Sequence, residues 1–374
     1  MKYIRLFTLF IIVSSFTSCK KKNVPEPEPG LIETVYVGCD DSKLYAINAV
    51  TGLKRWTFAT SGSIFSSPSV NNGLVYVGSS DQKLYAVNAT TGVKKWEFAT
   101  DGSISSSPFV VNGVVYIGSI DQKLYALDAA TGEKKWEFMA DGKVDSSPMV
   151  VNGVVYFGSE GKKVYALDAV TGAKNWEFAM SGVSAGTLSS PTFANGVVYA
   201  CDFKGTIFAI DAATGSKKWE FKAGATIDSS PTVANGVVYI TSFDFKLYAL
   251  DAVMGTKKWE FVVGITGMSS PTVSDGIVYV GSIFGRMYAV DAVTGLKKWQ
   301  FITDDHNTPA MYSSLTAAEG KIYAGTGEKK LYSLDAVTGA SNWVFQTEGV
   351  ISSSPCVITA SGKVYHSGVS GAQE

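Results

Sequence analysis

Covalent and metal chemistry need nucleophiles, proton carriers or ligands, and this chain offers few of them outside a repeating pattern. It has two histidines, His306 and His366, and four cysteines, at 19, 39, 201 and 356. No two cysteines adjoin, and none stands in a haem-attachment Cys-x-x-Cys-His sequence. Aspartates recur at 128, 168, 211, 251, 291 and 335, with Asn48 and Asn88 at the matching places. A catalytic group is needed once, so an acid repeated this often reads as a turn residue that accepts hydrogen bonds from its own backbone. Calcium can be held by carboxylates alone, yet no acidic cluster departs from the repeat. These residues predict no catalytic group, no metal and no cofactor.

What positions them is a unit that the chain rewrites. Its tryptophan falls at Trp56, Trp96, Trp136, Trp176, Trp219, Trp259, Trp299 and Trp343, at spacings of 40, 40, 40, 43, 40, 40 and 44 residues. A period of this length built from short strands and tight turns predicts propeller blades of four strands. The alternation of Leu124, Ala126 and Asp128 with Tyr125, Leu127 and Ala129 suits a strand buried on both faces, not an amphipathic helix.

Each unit divides into strands A to D. Strand A starts at Ser-Ser-Pro, as in Ser106-Ser-Pro-Phe-Val-Val111; seven of the eleven prolines occupy this motif. Proline cannot donate to a ladder and belongs at the first residue of a strand. Asn-Gly at 112–113, 152–153, 195–196 and 235–236, with Asp275-Gly276 as a variant, predicts a two-residue A–B hairpin with positive φ at both positions. Strand B reads Val-Val-Tyr-x-Gly and strand C Leu-Tyr-Ala-Leu-Asp. An Ala-x-Thr-Gly corner then leads to strand D, Lys-Lys-Trp-Glu-Phe, with Trp136 and Phe138 on one face and Lys135 and Glu137 on the other. That alternation marks a half-exposed outer strand. The aromatic stripe is expected to pack blade on blade, because a blade cannot bury both faces alone.

The spelling Ala-x-Asp-Ala-x-Thr-Gly-x-Lys-x-Trp, at residues 126–136, 166–176, 209–219 and 289–299, resembles the tryptophan-docking repeat of pyrroloquinoline-quinone-type propellers. Departures are Asn48, Asn88, Met254 for Thr and Ser333 for Ala. The resemblance covers residues 35–368. It implies an all-β, eight-bladed propeller of four-stranded antiparallel blades, with each of the eight tryptophans docked between adjacent blades. In the dehydrogenases of that family a quinone lies beside calcium, beneath a disulfide of adjacent cysteines, which this chain lacks. The architecture is more similar to the lipoprotein propeller component of the outer-membrane barrel-assembly machinery, a non-catalytic scaffold.

The N-terminus carries Lys2 and Arg5, an apolar run from Leu6 to Val13 and small residues before Cys19, the layout of a secretory signal too short to span a membrane. Ser15-Phe-Thr-Ser-Cys19 resembles a bacterial lipoprotein cleavage box, which implies removal of residues 1–18 and lipid on Cys19. Residues 19–30, with three lysines and Pro25-Glu-Pro-Glu-Pro29, read as a stiff spacer, and residues 31–374 as the propeller. Losing Lys2 and Arg5 would take the formal net charge from −1 to −3, and nothing in that balance points to nucleic acid. The expected place is the bacterial envelope, as a periplasm-facing outer-membrane lipoprotein.

Breaks in the repeat point to function, since insertions map to loops on one face. Two D-to-A connections are long, at 181–188 and 303–312. Nearby, polar B-to-C turns give way to Asp202-Phe203-Lys204, Phe243-Asp-Phe245 and Ile283-Phe284-Gly285. D-to-A and B-to-C loops share one face of the disc. The expected partner-binding surface is therefore Phe203, Phe243, Phe245 and Phe284, joined by His306 and Met311 of the longer insertion.

The chain begins with a strand B, Val35-Tyr-Val-Gly38, and ends with a strand A, Ser353-Ser-Pro-Cys-Val-Ile358. The N- and C-terminal strands are thus expected to close the ring within the first blade. Cys39 then lies three residues beyond the residue facing Cys356, too far for a disulfide. Lys363-Val-Tyr-His-Ser-Gly368 is a surplus B-like piece that either displaces residues 35–38 or lies outside. The function these features predict is a protein-binding envelope scaffold, with a quinone-dependent oxidoreductase or a glycan- or small-ligand-binding propeller as alternatives.

Overall fold

Strand C of the third blade, Lys123–Asp128, pairs with Val114–Gly118 on one side and Lys134–Met139 on the other, and Phe109–Val111 completes the sheet. This blade belongs to a computed structural model that describes residues 32–180, 189–264, 269–303 and 311–367. The same four antiparallel strands recur in eight blades, and no helix occurs among the described residues. Blades 2 to 8 run from A to D in chain order, and A lines the axis.

Local chemistry sets each turn. Asn112 and Gly113 have φ of 50° and 73°, as a two-residue hairpin between right-twisted strands requires. The same geometry occurs at Asn72-Gly73 and at Glu319-Gly320, where a glutamate takes the left-handed position. Strand A begins one residue after the proline, at Ser69, Phe109, Met149 and their counterparts. At the C–D corner Asp128 Oδ1 accepts the N–H groups of Ala130 and Thr131 at 3.0 and 3.1 Å. Asn48 makes the same two bonds at 2.9 and 2.8 Å, so the amide keeps the turn, without the ion pair that Asp128 adds with Lys135 at 3.1 Å.

Burial follows the strand order. The four central residues of strand C are buried in every blade, whereas strand D alternates between exposed and half-buried positions. The core consists of eight clusters, each shared between neighbouring blades. Trp136 Nε1 donates to the carbonyl of Ala169 in the next blade at 3.1 Å, and its ring lies against Gly172, which has φ of +72° and no room for a Cβ. The other seven tryptophans make the same bond at 2.9–3.2 Å.

The first blade is built from both ends of the described chain. Thr34–Cys39 pairs with Cys356–Ile358, with Tyr36 opposite Cys356. Cys39, Cys201 and Cys356 are free thiols, all buried. The surplus strand, Val364–Tyr365, does not displace residues 35–38. It adds to the inner edge of Cys356–Ile358 as a fifth strand, pairing Val357 with Tyr365.

Candidate functional site

Antiparallel order puts the B–C turns and D–A loops of all blades on one face. Phe203 (blade 5), Phe243 and Phe245 (blade 6) and Phe284 (blade 7) occupy three consecutive turns of that face. Phe203, Phe245 and Phe284 are 37–46% exposed, and Phe243 is half-buried. Two of these rings stand on unfavourable backbone: φ is 73° at Phe245 and 71° at Phe284. A left-handed bulky residue costs about 1–2 kcal/mol, but Ser42, Gln82, Gln122, Lys162 and Lys329 are left-handed at the place of Phe245, so the conformation there belongs to the turn type.

The same sector has carboxylate oxygens that no described residue pairs, as Asp40 Oδ1 is in blade 1. Asp202 is buried; one oxygen accepts the N–H groups of Lys204 and Thr206 at 3.0 and 2.8 Å, and Oδ2 accepts none. Asp244 Oδ2 is held by Gly224 N–H at 2.9 Å and by the Tyr248 hydroxyl, while its Oδ1 is bare. Asp228 Oδ1 is bare as well, and burial raises its carboxyl above the usual range. A buried acceptor left unpaired costs about 1–3 kcal/mol, so three in adjoining turns call for donors from outside. These orphans leave no mark in the repeat, because pairing depends on the neighbouring loop.

Met311 corrects the expectation. It is fully buried, with its sulfur and side-chain carbons against Gly281, where Ile64, Ile104, Val144 and Ile351 stand in other blades. It is a core residue that packs under the face, and no partner can reach it there. His306, Cys19, residues 181–188 and residues 304–310 lie outside the described residues. Two further aromatics, Phe65 and Tyr312, are exposed on this face although neither stands in a B–C turn. Both immediately precede the Ser-Ser pair, where other blades carry Ser105, Asp145 or Ser352.

On the axis, the second serine of each Ser-Ser pair forms a closed ring. The amide of Ser67 donates to the hydroxyl of Ser107, and the bond repeats through Ser147, Ser190, Ser230, Ser270, Ser314 and Ser354 back to Ser67, at 2.9–3.0 Å throughout. The first serines bind within their own blade instead, as Ser353 Oγ does with Gly38 N–H at 2.7 Å. The ring borders an axial cavity of about 230 Å³, which His366 and Ser367 of the surplus strand also line. His366 Nε2 lies 4.0 Å from Cys356 Sγ. Burial lowers the imidazole to about 4 and raises the thiol, so both are neutral near pH 7 and form no thiolate–imidazolium pair.

The family model for outer membrane protein assembly factor BamB matches residues 31–111, 99–200, 181–270 and 264–372. The chain belongs to this family. No curated protein matches the sequence. Among solved structures the chain is similar to BamB from Moraxella catarrhalis, at 18% identity over 84% of this chain and 91% of that one, with a TM-score of 0.66. A europium-containing methanol dehydrogenase gives 15%, 83%, 83% and 0.71. The computationally designed Ika8 protein gives 14%, 81%, 96% and 0.68. At these identities the likeness to each structure is one of fold.

The residues do not fit the quinone and calcium pair that the repeat resemblance implies for its dehydrogenases. The three propeller cysteines are separate and buried, and among the described residues no three His, Cys, Asp or Glu side chains converge as metal ligands.

Proposed function

We propose that the protein is a non-catalytic scaffold of the bacterial cell envelope that binds protein partners in outer-membrane protein assembly. In this reading residues 1–18 are a signal peptide, Cys19 carries the lipid that holds it to the outer membrane, and residues 19–30 space the propeller into the periplasm. The observation that carries the reading is the sector of blades 5 to 7, where exposed phenylalanines replace the polar residues of other B–C turns and adjoin buried carboxylate oxygens that no described residue pairs. Rings supply apolar contact, and bare acceptors suit a partner that brings backbone N–H groups, lysine or arginine. Membership in the BamB family supports the assembly role.

The test is crosslinking in intact envelopes followed by identification of what is captured. Wild-type protein is expected to retain outer-membrane assembly proteins. Replacement of Phe203, Phe243, Phe245 and Phe284 by serine is expected to lose them while the fold persists. Capture that survives the quadruple change would move the binding surface elsewhere. A Cys19→Ser variant recovered from the soluble fraction would support the lipid anchor, and one still bound to membranes would refute it.

A further inference from the structure

The face opposite the phenylalanine sector carries the C–D corners. Each corner sets its glycine on the tryptophan of the preceding blade, from Gly52 on Trp343 round to Gly339 on Trp299. One contact made eight times holds the corner tips at one level round the ring. Their side chains are not alike. Val50 and Leu53 of blade 1, and Val293 and Leu296 of blade 7, are 58–83% exposed. Val253, Val337 and Val93 continue the row through blades 6, 8 and 2. Blades 3 and 5 put Ala130 with Glu133 and Ala213 with Ser216 at the same places, so Val170 of blade 4 stands alone.

Charge follows the same arc. In blades 3, 5, 6 and 7 the corner aspartate pairs with a lysine of strand D at 2.9–3.1 Å, as Asp128 does with Lys135. Asn48 and Asn88 replace that acid in blades 1 and 2, which leaves Arg55 and Lys95 without it. Lys54 is unmatched along its strand as well, because Thr57 stands where Glu97 holds Lys94 at 2.6 Å. Glu33, beside the corner of blade 1, is paired with Lys321 at 3.8 Å. The described chain enters the propeller within this arc. The carbonyl of Glu33 accepts the N–H of Ala49 at 3.0 Å, and Ile32 before it is exposed. Cys19 stands 13 residues ahead of Ile32, so at most roughly 45 Å of chain lies between them.

We propose that the corner face of blades 6 to 8, 1 and 2 docks on an anionic lipid surface, with its apolar tips in the interface and Lys54, Arg55 and Lys95 on the headgroups. Shape, charge and tether name the occupant. Separate apolar tips on one level match a flat, deformable interface, whereas a protein partner needs a continuous apolar core. Unmatched cations close to anionic headgroups add to that binding. The inference rests on the reading in which Cys19 carries lipid. The tether then makes docking intramolecular, and weak contacts suffice at the resulting effective concentration. In this arrangement the phenylalanine face looks away from the bilayer.

The experiment places the full chain on phosphatidylcholine–phosphatidylglycerol vesicles that carry a nitroxide on shallow acyl carbons. Cys39, Cys201 and Cys356 are buried, so a thiol fluorophore goes to Val337→Cys inside the arc, or to Phe284→Cys on the opposite face. Nitroxide is expected to quench the probe at 337 by at least half and to spare the probe at 284. Leu53→Glu combined with Leu296→Glu, both at exposed tips, should remove the quenching at 337 while the chain still floats with the vesicles. Vesicles of phosphatidylcholine alone should quench more weakly. Three results would overturn the proposal: a floating chain with neither probe quenched, both probes quenched alike, or quenching at 337 indifferent to the double variant. Intact mass reads the lipid on Cys19 separately, so a failed anchor is told apart from a failed face.

Discussion

The indole N–H of Trp343 donates to the carbonyl of Ala49, 294 residues earlier in the chain, at 3.1 Å. Its ring lies on Gly52 as the other seven lie on the glycine of the next blade. Ring closure therefore uses the same contact as every internal blade junction. Removing a large aromatic from such a junction costs about 3–5 kcal/mol. Trp343→Ala and Trp136→Ala are accordingly expected to lower the urea midpoint by similar amounts. A nearly neutral Trp343→Ala would mean that the swapped strand Cys356–Ile358 alone holds the ring shut.

The thiols give a second expectation. Cys356 faces Tyr36, and burial pushes Cys39 up to about 11 and raises Cys201 and Cys356 as well. A thiol reagent at mildly alkaline pH should leave the folded propeller unlabelled. In denaturant without reductant, Cys39, Cys201 and Cys356 should all label. A protected pair would contradict the observed register, because Cys39 lies three residues from the one that faces Cys356, roughly 10 Å at the usual strand rise.

Much of this was legible because the repeat states it eight times. Spacing, Asn-Gly hairpins and permuted ends suffice for blade number, turn type and closure. Three features were hidden for separate reasons. Met311 sits in an inserted loop, so counting forward from Trp299 loses register; counting back from Ser313-Ser314 aligns it with Ile64, Ile104 and Ile351. The surplus strand has two possible partners of like sequence, and only the free inner edge of Cys356–Ile358 decides between them. The serine ring depends on how closely eight blades approach the axis, a distance no single repeat contains. Phe203, Phe243, Phe245 and Phe284 were visible as departures from polar turns.

The strand B tyrosines predict an alkaline limit. Tyr76, Tyr116, Tyr199, Tyr239 and Tyr279 each donate to an alanine carbonyl of the next blade at 2.9–3.1 Å, and burial raises each phenol to about 12. A folded-state value above the unfolded one of about 10 means that the neutral form is favoured by folding. The stability is complete below about pH 10 and is lost as pH rises from there through about 12. Tyrosinate absorbance and the change in tryptophan fluorescence should rise together in that window. Early ionisation of these five tyrosines in a still-folded protein would show that solvent reaches the blade junctions.

Phe245 and Phe284 should reveal a trade between stability and binding. Both hold left-handed backbone, φ 73° and 71°, where glycine has no steric penalty and phenylalanine has one of about 1–2 kcal/mol. Glycine gives back part of the gain, about 0.5–1 kcal/mol, through the freedom it adds to the unfolded chain. The two residues are 46% and 41% exposed, so the packing lost with each ring offsets part of the gain. Phe245→Gly and Phe284→Gly are each expected to leave stability unchanged or raise it by up to about 1 kcal/mol, measured as the urea midpoint at constant slope. The same variants should weaken capture of the envelope partner in the crosslinking assay. A fall in stability of more than about 2 kcal/mol would instead class the rings as caps packed on their blades, and the partner surface would then have to be sought at Phe65 and Tyr312 on the same face.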